Sequence, residues 1–276
     1  MIRYCLLLFC LIITASYSYG GETQRVALAP PHGMTRADVV YLKPDKRPKG
    51  FLVLCPGYNG DGAYLIGKKE WQKFANENGL ILVGLSFASD VEKLHDGTGY
   101  YYPEHGSGKA LIKTLKKMHN EDLPIYMYGF SGGAHFTSRF AEWAPRKVNA
   151  FAAYSAGWWT KPSKKRKNMP PGIIACGSKD ERLGASYSYF LDGRALDRPW
   201  LWVELPDIGH KEYAPLDDFV RAFFSSVMHP NSKSVWIDIL TGEQKRGSFA
   251  MDAKSVTGYI PDGSLVGKWK ELCGAK

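Results

Sequence analysis

The sequence predicts an α/β fold, a mostly parallel central sheet with helices on both faces. Three observations predict it. Strand-like and helix-like segments alternate through the middle of the chain, the order that builds parallel strands joined by crossover helices. The strand-like segments are short, nearly continuous apolar runs, the pattern of strands covered on both faces. The pentapeptide Gly129-Phe130-Ser131-Gly132-Gly133 lies between a strand-like and a helix-like run, with glycines where a very tight turn needs small residues.

The elements follow in order. Residues 39–42 and 50–54 are apolar runs around a Pro/Lys/Asp turn, which predicts a hairpin. Residues 63–78 read as one helix with Leu65, Trp71 and Phe74 inward, and residues 80–85 as a buried strand. Residues 106–119 form a helix with Leu111, Leu115 and Met118 on one face. A strand at 124–128 leads into the serine turn, and the helix 134–143 carries Phe136, Phe140 and Trp143 at i, i+4 and i+7. Strands at 148–154, 172–176 and 200–205 and a closing helix at 215–228 complete the apolar set. A tail, 231–276, holds a strand at 235–240 and a short helix at 265–272, with Trp236 and Trp269 expected to pack on the main body at 21–230. There is no internal repeat and no low-complexity linker.

Composition narrows the function classes. The 276 residues are 45% hydrophobic and 23% charged, an ordinary globular balance that argues against disorder, collagen or a membrane bundle. Residues 1–20 read as a secretory signal: Arg3, an apolar run over 6–13, then Ser18 and Gly20 at −3 and −1. That run is far shorter than the roughly 20 residues a spanning helix needs, so no membrane span is expected in the mature chain. Secretion, or export to a periplasm, follows as the expected localisation. Beyond the signal remain Cys55, Cys176 and Cys273, an odd number that allows at most one internal pair and no disulfide framework. The formal net charge is +9, densest at Lys161, Lys164, Lys165, Arg166 and Lys167. Such a loop either meets an anionic surface or is simply solvated; no nucleic-acid motif accompanies it, so no nucleic-acid partner is expected.

The chemistry is carried by three turns. A G-x-S-x-G turn between strand and helix is a nucleophile elbow, with Ser131 at its apex. Acyl transfer also needs a base for the serine proton and an acid to orient that base, in the chain order Ser, acid, His. After the strand ending at Cys176 comes Gly177-Ser178-Lys179-Asp180-Glu181, and after the strand ending at Leu205 comes Pro206-Asp207-Ile208-Gly209-His210. Both lie past the carboxyl ends of strands, where open α/β sheets carry their sites. Asp180 is the expected acid, with Glu181 as its rival and a helix-capping role as the alternative. His135 lies one helical turn past Ser131 on the same helix, a poor position for the base. Metal-binding patterns such as H-E-x-x-H and C-x-x-C are lacking, and the glycines of 57–62 lack a phosphate-loop ending, so neither a metal nor a cofactor is implied.

On these turns the sequence resembles the α/β-hydrolase superfamily over roughly residues 35–228, and within it secreted esterases of the polyhydroxybutyrate depolymerase, feruloyl esterase and dienelactone hydrolase type. The resemblance implies Ser131 as nucleophile, Asp180 as acid and His210 as base. It implies an oxyanion hole from the backbone N–H groups of Tyr58 and Gly132. One departure stands out: Pro56 replaces the histidine that the family usually carries before Gly57-Tyr58. The segment 154–168 is too short for a helical lid, so no large cap domain is expected. Trp158, Trp159 and Tyr101 either line an open cleft as substrate-binding residues or pack beneath the loop. The expected activity is hydrolysis of a bulky or polymer-linked carboxylic ester; a serine peptidase on the same fold and a non-catalytic binding module are the alternatives.

Overall fold

The computed structural model describes residues 21–164, 168–245 and 256–274. The expected signal at 1–20 and the basic residues Lys165, Arg166 and Lys167 lie outside the described residues. The first half of the chain forms β1 (Gln24–Val26), β2 (Arg36–Leu42), β3 (Gly50–Cys55), α1 (Gly62–Ile66), α2 (Lys69–Glu77), β4 (Leu80–Ala88), α3 (Val91–His95) and α4 (Ser107–Met118). Next come β5 (Ile125–Phe130), α5 (Gly132–Trp143), β6 (Val148–Tyr154), β7 (Gly172–Gly177), α6 (Leu183–Arg194), β8 (Trp200–Leu205) and α7 (Ala214–Met228). The tail adds β9 (Val235–Asp238), β10 (Gln244–Lys245), β11 (Thr257–Ile260) and α8 (Val266–Cys273).

Among the described residues, eight strands form one sheet in the order β1-β2-β4-β3-β5-β6-β7-β8. From β4 through β8 every neighbouring pair is parallel, and β1 and β2 are antiparallel additions at one edge. The strands β3, β4 and β7 are buried along their whole length, so both sheet faces are covered. Because the central strands run in parallel, their carboxyl ends share one edge. The turns bearing Ser131, Asp180 and His210 all leave from that edge.

Two expectations are corrected. The hairpin of residues 39–42 with 50–54 does not form, because β4 lies between them. Val40 on β2 and Leu54 on β3 both face Gly84, from opposite sides. All nine β4 residues are buried, so its backbone groups need partners on both edges. The connection carries Pro44 and Pro48, which suit an extended crossing better than a tight turn. The single helix expected over 63–78 is two helices, since Gly67 closes α1 with its N–H on the Ala63 carbonyl (3.0 Å) and Lys68 is extended. Leu65, Trp71 and Phe74 are nevertheless buried. The helix α6 was not expected as an element because its buried side mixes Ser186, Gly193 and Arg194 with Tyr189 and Phe190, which leaves no purely apolar inward stripe.

The tail is fixed to the main sheet by specific polar contacts. Trp269 of α8 is 1% exposed and its Nε1–H donates to the Trp202 carbonyl of β8 at 2.9 Å. Arg194 of α6 donates through Nε to the Thr257 carbonyl at 2.7 Å and lies 4.2 Å from the Trp236 ring centroid. Among the described residues, β9, β10 and β11 form a separate small antiparallel sheet. Trp269→Ala removes a fully buried indole, and such truncations cost about 3–5 kcal/mol. Chemical denaturation is expected to show a loss of that size, against less than about 0.5 kcal/mol for exposed Lys268→Ala.

Candidate active site

The turn between β5 and α5 holds Ser131 at φ 51° and ψ −113°, a backbone state that costs a non-glycine residue about 1–3 kcal/mol. What surrounds the serine keeps it there. Its N–H donates to the Tyr154 carbonyl of β6 at 2.8 Å, and its own carbonyl accepts from Ala134 N–H at 3.0 Å. A Cβ at Gly133 would stand 1.9 Å from the Cys55 carbonyl oxygen, and one at Gly129 would stand 2.3 Å from the Gly133 carbonyl oxygen. The glycines of the pentapeptide are therefore demanded by backbone packed on backbone, which no side-chain rotamer relieves.

The apex directs Ser131 Oγ to His210. Its distance to His210 Nε2 is 3.0 Å, and His210 Nδ1 lies 2.8 Å from Asp180 Oδ2. The two loops that bring His210 and Asp180 together are tied to each other. Ser178 N–H donates to the Leu205 carbonyl (2.9 Å), Lys179 N–H to the Ile208 carbonyl (2.9 Å) and Asp207 N–H to Ser178 Oγ (2.8 Å). The Phe130 ring stacks on the His210 ring at 4.9 Å.

Asp180 has its side chain fully buried, and burial alone would raise its pKa. Hydrogen bonds from His210, from the Arg182 N–H and guanidinium (3.0 and 3.1 Å on Oδ1) and from Ser155 outweigh that and hold it below the ordinary carboxylate value. It stays an anion beside the imidazole. The rival Glu181 has an 82% exposed side chain and pairs with Arg182. Arg182 is a contributor that sequence reading passed over; only its position two residues after the acid pointed to it.

The loop after β3 lies against the serine turn, with a Cβ on Gly57 placed 3.9 Å from Ser131 Cβ. A Cβ built on Gly132 would lie 2.7 Å from the Tyr58 nitrogen, so the start of α5 packs closely on the Tyr58 backbone. Neither the Tyr58 nor the Gly132 N–H has a hydrogen-bond partner among the described residues. Gly132 opens α5, and an unpaired N–H at a helix start attracts negative charge.

The sequence matches no family model and no curated protein. Solved structures do match its fold. A poly(3-hydroxybutyrate) depolymerase from Bordetella parapertussis is 16% identical, with 75% of this chain and 89% of that one covered at a TM-score of 0.55. An S-formylglutathione hydrolase from Agrobacterium tumefaciens is 15% identical, with 78% and 97% covered at 0.57. A fluorophosphonate-binding serine hydrolase of Staphylococcus aureus is 16% identical, with 76% and 100% covered at 0.54. The chain has the α/β-hydrolase fold.

Within this α/β-hydrolase fold, no helix is described between β6 and β7, and Ser131 is only half-buried. The aromatic residues expected to line the cleft divide. Tyr101 is 4% exposed, with one ring face stacked on His135 at 4.3 Å and an edge contact to Tyr100, so it props the site and does not line it. Trp158 and Trp159 are half-buried. Trp158 packs against His95 and His135, and Trp159 stacks on Tyr189 at 4.4 Å and donates to Ser186 Oγ. Tyr64, which nothing in the sequence marked, is 60% exposed and donates to Glu212, two residues past His210. His135 is structural. Its Nε2 accepts from Gly157 N–H at 2.9 Å, and burial, with the charges of Arg139 and Arg182, pushes its pKa well below the ordinary value. Burial likewise pushes the Cys55 thiol up to about 12, so it is no rival nucleophile.

The loop after β3 is pinned from several sides. Arg36 donates to the Asn59 and Gly60 carbonyls at 2.7 and 2.8 Å, and Asn59 exchanges two hydrogen bonds with the Ser89 backbone. Asp61 caps α1 through Ala63 N–H and accepts from Ser86 and Arg25. Burial would raise the Asp61 pKa, but these donors bring it to about 2. A lowered folded-state pKa stabilises the fold above the unfolded value, near 3.9, and the gain is lost as pH falls toward about 2. Asp61→Asn should therefore lower Tm at pH 7, and its gap from wild type should close as pH falls from about 4 to about 2. Tm measured across that range checks it; a constant gap would contradict the assignment.

Proposed function

We propose that this protein is a secreted serine hydrolase that cleaves carboxylic esters through Ser131, His210 and Asp180. The observation that carries the reading is the continuous chain from Ser131 Oγ to His210 Nε2 (3.0 Å) and from His210 Nδ1 to Asp180 Oδ2 (2.8 Å), beside two unpaired N–H groups. Residues 1–20 act as the export signal, 21–230 as the catalytic domain and 231–276 as an extension on it. An open site, with no lid helix among the described residues, favours a bulky or polymer-linked ester. The depolymerase of similar fold, described as acting on poly(3-hydroxybutyrate), supports such a substrate class.

The chemistry follows from the geometry. His210 Nε2 takes the Ser131 proton as Oγ attacks the ester carbonyl carbon. The carbonyl oxygen becomes an oxyanion held by the N–H groups of Tyr58 and Gly132, where one such donor is worth about 2.7–4 kcal/mol of barrier. The tetrahedral centre collapses, the C–O bond to the alcohol breaks, and the alkoxide leaves with the proton from His210. Water, deprotonated by His210, attacks the acyl-enzyme; the acid departs and Ser131 recovers its proton. Asp180 keeps the second imidazole proton on Nδ1, so Nε2 faces the serine as a base.

Two outcomes are expected. A fluorophosphonate probe should label the wild-type protein, and Ser131→Ala should lose both the label and the turnover of short-chain aryl esters. No label on wild type would move the binding-module reading to first place, and peptide turnover exceeding ester turnover would favour the peptidase. Asp180→Asn should leave the fold intact and lower kcat about 10⁴-fold, since the wrong imidazole tautomer then faces Ser131. A kcat within about tenfold of wild type would remove Asp180 from the triad.

A further inference from the structure

The outer face of α4 is uniformly basic. Lys109, Lys113, Lys116 and Lys117 recur at i, i+4, i+7 and i+8, all exposed, and the helix carries no carboxylate. Lys109 with Lys113 and Lys113 with Lys117 repel at i, i+4, and the helix dipole favours only Lys116 and Lys117 in the last turn, so an anion along the stripe would relieve the repulsion. Lys147, at the foot of β6, faces the same space. Together these lysines rim a groove of about 630 Å³ floored by Ile112, Trp143 and Ala144. Compensation from within the chain is slight. The exposed Asp122 approaches Lys116 at 3.8 Å and Lys147 at 3.4 Å, and Lys109, Lys113 and Lys117 have no ion pair among the described residues.

The groove also leads toward the catalytic edge. Trp143 is shared with a second cavity of about 300 Å³, lined by Glu104, Arg139, Thr160 and Lys161. Thr160 and Lys161 directly follow Trp158 and Trp159 on the loop between β6 and β7. That loop opens the basic run 161–167.

We propose that this groove binds an acidic polysaccharide, with its carboxylates on the α4 lysines and a sugar ring on Trp143. Lysines one helical turn apart repeat every 5.4 Å or so, which suits a chain carrying regularly spaced charge. A concave, lysine-rimmed trough fits an extended polymer; a bilayer would be met by a protruding apolar face. A single half-buried indole fits the apolar face of a sugar, whereas single-stranded nucleic acid is usually held on a row of aromatic rings. The inference extends the proposed function, because it makes the ester one borne by an anionic glycan, but the binding itself does not require the catalytic reading.

The test is calorimetric titration of the full protein with polygalacturonate, with neutral dextran, a single-stranded oligonucleotide and anionic phosphatidylserine vesicles as comparisons. Wild type and Ser131→Ala should bind polygalacturonate alike, more weakly as salt rises, and should not bind dextran. Lys113→Glu/Lys117→Glu should bind about tenfold or more weakly, Lys113→Gln/Lys117→Gln should fall between, and Lys268→Glu on α8 should bind as wild type. No binding by wild type, unchanged binding by both double variants, or tighter binding to the oligonucleotide or the vesicles would each overturn the proposal. Esterase activity is read separately on aryl esters, so loss of the groove and loss of the catalytic reading are distinguishable.

Discussion

The site depends on one constraint: Ser131 occupies a left-handed backbone state between a buried strand and a buried helix. That state is unfavourable by about 1–3 kcal/mol, and it persists because the alternatives are blocked. The α5 helix starts so close to β3 that Gly133 has no room for a Cβ beside the Cys55 carbonyl. Relaxing the turn would pull that helix away from the sheet and would give up the bond from Ser131 N–H to β6. The same close approach sets the Gly132 backbone against Tyr58. Strain at the serine and the contact with the Tyr58 backbone are thus two results of one packing arrangement.

Parallel strand order then does the assembling. The β5, β7 and β8 strands end on the same edge, so residues separated by 79 and 30 positions meet at His210. Short backbone bonds between the two later loops limit how far the imidazole and the carboxylate drift apart. Charge supports this geometry. Asp180 is buried yet remains an anion, because Arg182 and His210 supply the hydrogen bonds that water would have made. The aromatic residues behind the site serve rigidity. Tyr101, His135 and Trp158 form one packed group that fixes the loop at Gly157 through a neutral imidazole.

What was legible in the sequence was what short-range chemistry dictates. A glycine-bracketed serine between two apolar runs specifies its own backbone turn, and the central strands read as continuous apolar segments. Pairing partners were not legible. The residues of β2 and β3 look like a hairpin, and only the need of the fully buried β4 for partners on both edges places it between them. Which aromatic residues face solvent was equally hidden, since Tyr101 and Tyr64 carry the same side chain in opposite environments. Nor does the sequence distinguish the environments of Asp180 and Glu181; the loop turns the former inward onto His210 and leaves the latter in water.

The proposed role of the Tyr58 and Gly132 N–H groups is to receive the charge that develops when Ser131 attacks. Its most direct test is a crystal structure of the protein after reaction with a phosphonate ester, whose tetrahedral adduct mimics that intermediate. Phosphorus should be bonded to Ser131 Oγ, with the phosphoryl oxygen about 2.7–3.1 Å from both nitrogens. An adduct on another residue, or a phosphoryl oxygen turned to solvent away from both N–H groups, would contradict it.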